Sequence, residues 1–165
     1  MEVRKYFCKR SRMTPAIDAA KRAGVHFRVQ EYESSQTPES FGKEAAEKLG
    51  LSPDRVFKTL IVTDGKNLYV GVLPVSNHLN LKLMAKALGL KRIKMADKQQ
   101  VTASTGYVLG GVSPIGQKKI LPTIIDSSAQ KLASINVSAG RRGLEIELSA
   151  LDLQRLTSAR FADLS

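Results

Sequence analysis

One cysteine, Cys8, and two histidines, His26 and His78, are all that 165 residues contain of these types. A lone thiol excludes an internal disulfide framework and a cysteine-built zinc site, and the histidines fit no H-x-x-x-H spacing. No apolar run approaches the roughly 20 residues of a membrane span, and none follows the basic N-terminus as a secretory signal requires. G-x-S-x-G and the phosphate-loop pattern are also missing, so the usual protein nucleophiles and triphosphate cradles are not advertised. The expectation is a cytoplasmic protein in reducing surroundings that needs no metal and no cofactor.

Anionic side chains are scarce too: 15 Asp and Glu face 26 Lys and Arg, for a net charge of +11. Nucleic acid is the leading partner class, because Lys and Arg on phosphates release condensed counterions. Residues 1–12, "MEVRKYFCKRSR", hold +4 of that excess and read as a basic leader or an upstream start. A single folded domain is expected over 13–165, since the length suits one core and the 42% hydrophobic and 25% charged content is that of a globular protein.

The domain opens with Thr14 as N-cap, Pro15 at the first helical position and Gly24 as a stop. "VHFRVQEY" then alternates as a half-buried strand, and Pro38 and Ser40 introduce a short helix closed by Gly50. Asp64-Gly65 between two β-rich runs predicts a hairpin. A helix ending at Gly89, a short strand and a brief helix over 97–106 follow. "ILPTIID", "LASINVSAG" and "GLEIELSAL" read as strands, and a last helix is predicted from Ser149 through "LDLQRLTSARFADL", with Asp152 placed for a capping box. The pattern is α/β or α+β: one mixed, barrel-like sheet surrounded by short helices.

Lys58 shares strand parity with Val56, Leu60 and Val62, so it either snorkels from an edge or is a cation held in a pocket for an anionic or carbonyl oxygen. Tyr32 sits with the polar residues of its strand, as tyrosines that cap a sheet edge do. Glu145 and Glu147 share a face that reads as solvated. Lys82, Lys86, Lys91, Arg92, Lys94 and Lys98, opposed by Asp97 alone, form either a solvated face or a polyanion footprint. "VLGGVSPIGQKKILP", residues 108–122, is either a ligand loop or a tight strand connection.

"VFKTL", "KALG", "STGY", "GGVSPIGQKK" and "LPTIID", in this order, resemble the YbaK group of free-standing aminoacyl-tRNA deacylases, relatives of the editing domain inserted in bacterial prolyl-tRNA synthetases. The resemblance runs from residue 13 nearly to the end. It implies trans-editing of cysteinyl-tRNA(Pro) by a domain with a mixed, barrel-like sheet, and a transient complex with prolyl-tRNA synthetase that supplies tRNA identity. The family's active lysine falls on Lys58, its GxxxP loop on Gly110 to Pro114, and its pocket tyrosine and phenylalanine on Tyr32 and Phe41. Gly110 and Gly111 are then candidates to hold the carbonyl oxygen, Ser113, Pro114 and Glu145 to line the substrate, and Lys82, Lys86, Lys118 and Lys119 to meet tRNA phosphates. In two places the chain departs from the family: Ala139 stands for a glycine and Glu145 for an aspartate.

The same resemblance implies a nucleophile that comes from the substrate, the cysteinyl thiol attacking its own ester and leaving as a cyclic thiolactone. That accounts for the missing Ser-His or Cys-His pair. The alternatives are an alanyl-tRNA(Pro) deacylase that uses water, and a tRNA-binding module without turnover.

Overall fold

Thr14 accepts the amide of Ile17, Pro15 fills the first helical position, and α1 (Pro15–Ala23) stops at Gly24, whose φ is 68°. The computed structural model describes residues 13–35 and 40–165. The predicted leader, Cys8 and Pro38 lie outside the described residues. Beyond α1 come β1 (Phe27–Glu31) and α2 (Phe41–Leu49), the latter closed by Gly50 in the left-handed conformation. The Asp64-Gly65 hairpin joins β2 (Phe57–Thr63) to β3 (Leu68–Pro74). Asp64 Oδ1 accepts the amides of Lys66 and Asn67 at 2.8 and 2.7 Å, an Asx-type closure that fixes the strand register. Next are α3 (Leu81–Leu88), β4 (Lys94–Met95) and α4 (Lys98–Thr105), which carries a full capping box between Asp97 and Gln100. The C-terminal third holds β5 (Thr123–Asp126), a short 3-10 helix (Ser127–Lys131), β6 (Ile135–Arg141), β7 (Leu144–Leu148), α5 (Ala150–Thr157) and β8 (Arg160–Ala162).

The described strands form two sheets. The smaller is antiparallel in the order β1-β7-β6; the larger runs β4-β2-β3-β5-β8, with β5 parallel to both its neighbours. The expected mixed α+β domain is therefore present, but its sheet does not close into a barrel. The two sheets meet at one bridge, Val56 with Asn136, backed by the Asn136 amide on the Arg55 carbonyl at 2.9 Å; among the described strands β1, β4 and β8 end as edges, as does β6 apart from that bridge.

Alternation decides what fills the space between the sheets. Ile135, Val137, Leu144, Ile146 and Leu148 of the small sheet meet Phe57, Ile61, Val70, Val72 and Ile125 of the large one, and α1 adds Ala16, Ile17 and Ala20. On the opposite face of the large sheet, α3 buries Met84 against Val62, Leu73, Ile124 and Leu164. β5 is thus covered on both faces, which is why "TIID" is one continuous buried run. Under α2 a third, smaller cluster gathers Ala45, Ala46, Val56 and Val75 with Tyr32 and Leu51. No described helix is long and apolar enough to cross a membrane.

The end of the chain departs from the predicted helix. Ser149 caps α5 by accepting the Asp152 amide at 3.1 Å, but the helix ends at Ser158, with φ of 52°, and Arg160–Ala162 turns into a strand beside β5. Three residues give too short a period to announce a strand from sequence, and the exposed edge of β5 decides their state. Ala139, where the family has glycine, lies in the β6 bulge, and the positive φ of that bulge (102°) belongs to Gly140. The departure therefore imposes no left-handed strain.

The glycine loop proves to be anchored rather than free. Tyr107 donates its hydroxyl to Ile115 O at 2.7 Å, Ser113 Oγ accepts the Ile115 amide, and Gln117 Nε2 donates to Ser113 O at 2.9 Å. Gly116 has φ of 68°, and a Cβ there would stand 2.5 Å from Pro15 O, so the loop crosses the start of α1 backbone to backbone. Gly116→Ala is expected to lower stability by about 2 kcal/mol or more, combining left-handed strain with overpacking. Urea unfolding checks this, and an unchanged midpoint would mean that the loop is not held against α1.

Candidate active site

The corner at Val56 and Asn136 sets the start of β2 beside the small sheet, and strand alternation selects what that corner presents. Phe57 and Ile61 point into the central core, so Lys58 faces the opposite side with Leu60 and Val62. The predicted parity thus holds. Half-buried, Lys58 donates from Nζ to the Asn77 carbonyl at 2.6 Å and makes no ion pair among the described residues. Burial, then the positive charge of Lys43, lowers its pKa below the usual lysine value. The cation is held by a neutral acceptor and keeps donors for a further oxygen.

Phe41 and Gly42, the first residues of α2, join this lysine to the glycine loop. A Cβ on Gly42 would lie 2.3 Å from Val75 Cγ1 and 3.9 Å from the Lys58 Cβ, which leaves room for hydrogen only. One on Gly110 (φ 88°) would meet the Phe41 ring at 3.0 Å and Arg142 Nε at 2.7 Å. A Cβ on Gly111 would likewise stand 2.9 Å from the Cα of Arg141. Both glycines are therefore required by close approach, and Lys58, Phe41, Gly110 and Gly111 form one continuous neighbourhood.

Tyr32 and Glu145 complete it from the small sheet. Gln30 pairs with Glu145 in register, and Tyr32, two residues on, shares that face and donates its amide to Gly143 O at 2.9 Å. Glu145 is 6% exposed, and its Oε2 has no hydrogen-bond partner. Burial raises its carboxyl to about 8, so the neutral acid persists well above the ordinary carboxylate range. The face expected to be solvated is therefore buried at Glu145, while Glu147 stays nearer solvent and accepts from Arg28 at 3.3 Å. Burial, then the charge on Glu145, pushes the Tyr32 phenol to about 12, against a lowering contribution from the Gly143 backbone.

The remaining candidates stand apart. Ser113 is fully buried and its hydroxyl serves the Ile115 amide, and Pro114 is buried beside it, so both shape the loop from within. The Gly111 amide donates to Val108 O at 3.0 Å, whereas those of Gly110, Val112 and Ser113 meet no acceptor among the described residues. Of the two glycine amides expected to hold a carbonyl oxygen, Gly110 has the open one. Lys82 and Lys86 are exposed on α3, which starts four residues after Asn77. Lys118 and Lys119 are exposed after the loop, their amides tied to Thr105 O and Ser104 O at the end of α4. No contact brings these four into the cluster.

Sequence reasoning missed Arg142, Lys43 and Asn77. Arg142 sits in "GRRG", a hairpin turn whose local pattern signals only the turn; that it stacks on Phe41, with its guanidinium carbon 4.4 Å from the ring centroid, is a long-range fact. Taken together, the groups can polarise a carbonyl, hold an anionic oxygen near Lys58 and the Gly110 amide, and orient a small acyl group against Tyr32 and Glu145.

Known proteins are similar to this chain in sequence and fold. Residues 39–156 match the model of the aminoacyl-tRNA editing domain. EbsC of Enterococcus faecalis, a proposed Cys-tRNA(Pro)/Cys-tRNA(Cys) deacylase, is 41% identical over 138 residues, covering 82% of this chain and 84% of EbsC. A proline–tRNA ligase of Shouchella clausii is 32% identical over 112 residues, 67% of this chain but 20% of the ligase. A solved structure of a proposed trans-editing enzyme for prolyl-tRNA synthetase superposes with a TM-score of 0.83 at 25% identity, over 96% of this chain and 99% of that one.

The buried carboxyl makes stability depend on pH. Its folded value of about 8 lies above the ordinary 4.5, so between these limits the folded state holds a proton that the unfolded chain has lost. The contribution of this group to stability is complete below the lower value and declines as pH rises toward the upper one. Glu145→Gln, neutral throughout, is expected to match the parent near about pH 4 and to be the more stable of the two near about pH 8. Urea unfolding at both pH values reads this directly; parallel profiles would mean that Glu145 ionises normally in the fold.

Proposed function

Since the chain belongs to the aminoacyl-tRNA editing domain family, we propose that it is a trans-editing deacylase that removes cysteine from mischarged cysteinyl-tRNA(Pro) in the cytoplasm. The observation that carries the reading is the juxtaposition of a half-buried lysine without a carboxylate partner, the open Gly110 amide and a buried acid, with no histidine or cysteine bonded to any of them among the described residues. Such a site stabilises charge and orients, and leaves the nucleophile to the substrate.

The step balances without a protein nucleophile. The cysteinyl sulfur attacks the ester carbonyl carbon, the carbonyl oxygen takes up negative charge toward Lys58 and the Gly110 amide, and the bond to the ribose oxygen breaks. That oxygen takes the thiol proton, releasing tRNA and a four-membered thiolactone, which water opens to cysteine. Favourable intramolecular geometry lowers such barriers by on the order of 7 to 11 kcal/mol. The exposed Lys82, Lys86, Lys118 and Lys119 serve tRNA phosphates, and prolyl-tRNA synthetase, whose own ligases share this domain, supplies tRNA identity in a transient complex.

Deacylation assays on cysteinyl-, alanyl- and prolyl-tRNA(Pro) test the reading. Cysteinyl-tRNA(Pro) is expected to turn over and alanyl-tRNA(Pro) to resist, and Lys58→Ala is expected to cut turnover by about 100-fold or more, the scale of losing one preorganised oxyanion donor. Full activity of Lys58→Ala, or rapid cleavage of the alanyl ester, contradicts it; tRNA binding with no hydrolysis of any ester removes the enzymatic assignment altogether.

A further inference from the structure

Arg142 stands at the mouth of the site with no part in the chemistry above. Its guanidinium carbon is 4.4 Å from the centre of the Phe41 ring, and one terminal nitrogen reaches Leu109 O at 3.5 Å. Gly110 keeps the space that this arrangement needs, since a Cβ there would lie 2.7 Å from Arg142 Nε. The side chain is exposed and forms no ion pair among the described residues. One face of the planar cation is therefore covered by an aromatic ring, one corner is tethered to the loop, and the outer N–H edge remains open to solvent.

We propose that Arg142 is a phosphate-binding residue that grips the single-stranded 3′ end of tRNA at the site mouth, with Phe41 as its shelf and Gly110 as the gap that admits it. The proposal rests on the editing reading only in taking tRNA as the ligand. A fixed guanidinium edge presents paired N–H donors that match two phosphate oxygens, whereas a lysine would offer a mobile point charge with no plane to stack. Stacking on Phe41 holds the fork in place before the ligand arrives, so less freedom is lost on binding. The position also fits the chemistry: an ester held at Gly110 and Lys58 is joined to the terminal ribose, and the next phosphate must leave past the rim that Phe41, Gly110 and Arg142 form. Lys43, two residues along α2 from Phe41, adds positive charge close to Lys58 on the same rim.

Equilibrium binding of uncharged tRNA(Pro) tests this without requiring hydrolysis. Wild type, Arg142→Gln and Arg142→Lys are compared between roughly 50 and 200 mM salt, on intact tRNA and on tRNA trimmed of its CCA end. Arg142→Gln is expected to weaken binding of intact tRNA by about fivefold or more at the low-salt limit and to lower the slope of log affinity on log salt by about 0.7, one single-strand phosphate. Arg142→Lys keeps the slope but regains only part of the affinity, and on trimmed tRNA all three proteins bind alike. Thermal unfolding of each variant establishes that it is folded. An unchanged slope in Arg142→Gln, an equal loss on trimmed tRNA, or no tRNA binding by wild type overturns the proposal. An arginine that merely braced the loop would slow turnover and leave the salt slope untouched. Binding that depends on Arg142 in a protein that hydrolyses no ester would instead overturn the editing reading and leave this assignment standing.

Discussion

Where the backbone of Arg55 and Val56 pairs with Asn136, two sheets that share a core are also joined at a corner, and the site is built on the outside of that corner. Without the joint, Lys58 would be one more polar residue on the α3 side of the large sheet, and Tyr32 and Glu145 would lie on the open face of the small one. With it, α2 can lie across both, its alanines packed on Val56 and Val75 while its first residues reach the glycine loop. Every close approach then demands glycine or a small side chain, which is why Gly42, Gly110 and Gly111 recur around one lysine.

The electrostatics of this corner are unfavourable in the free protein. A half-buried ammonium is satisfied by a carbonyl rather than a carboxylate, a nearly buried acid is driven to its neutral form, and several loop amides meet no acceptor among the described residues. Buried polar groups are normally paired, and clusters of exceptions mark places where a ligand completes the set. An aminoacyl ester brings what is missing, a carbonyl oxygen for the donors. The anchored loop matters here, because a thiol that must attack its own ester gains more from fixed geometry than from any added catalytic group.

Much of this was legible in the sequence, for reasons that differ from element to element. The Asp64-Gly65 hairpin and the helix stops at Gly24, Gly50, Gly89 and Gly106 are written in local backbone chemistry, and the structure keeps them all. Lys58 was legible through period-two parity, which survives any change in what lies above the strand. The burial of Glu145 was not: alternation gave its face, and only packing between distant elements makes that position dry. β8 escaped because Ser158 ends the helix in a left-handed turn and the strand is drawn in by the free edge of β5. Closure into a barrel was an expectation about pairing between distant strands, and no local pattern carries it. Arg142 was hidden for the same reason, since its partners Phe41 and Gly110 come from distant parts of the chain.

The proposed chemistry is a division of labour, in which the protein provides orientation and positive charge and the substrate provides the nucleophile. It is tested most directly by cysteinyl-tRNA(Pro) whose thiol has been S-methylated, assayed for both binding and deacylation beside the unmodified substrate. The methylated ester is expected to bind with comparable affinity and to resist cleavage. Cleavage at a rate close to that of the free thiol would contradict it, and would place the nucleophile in the protein or in water.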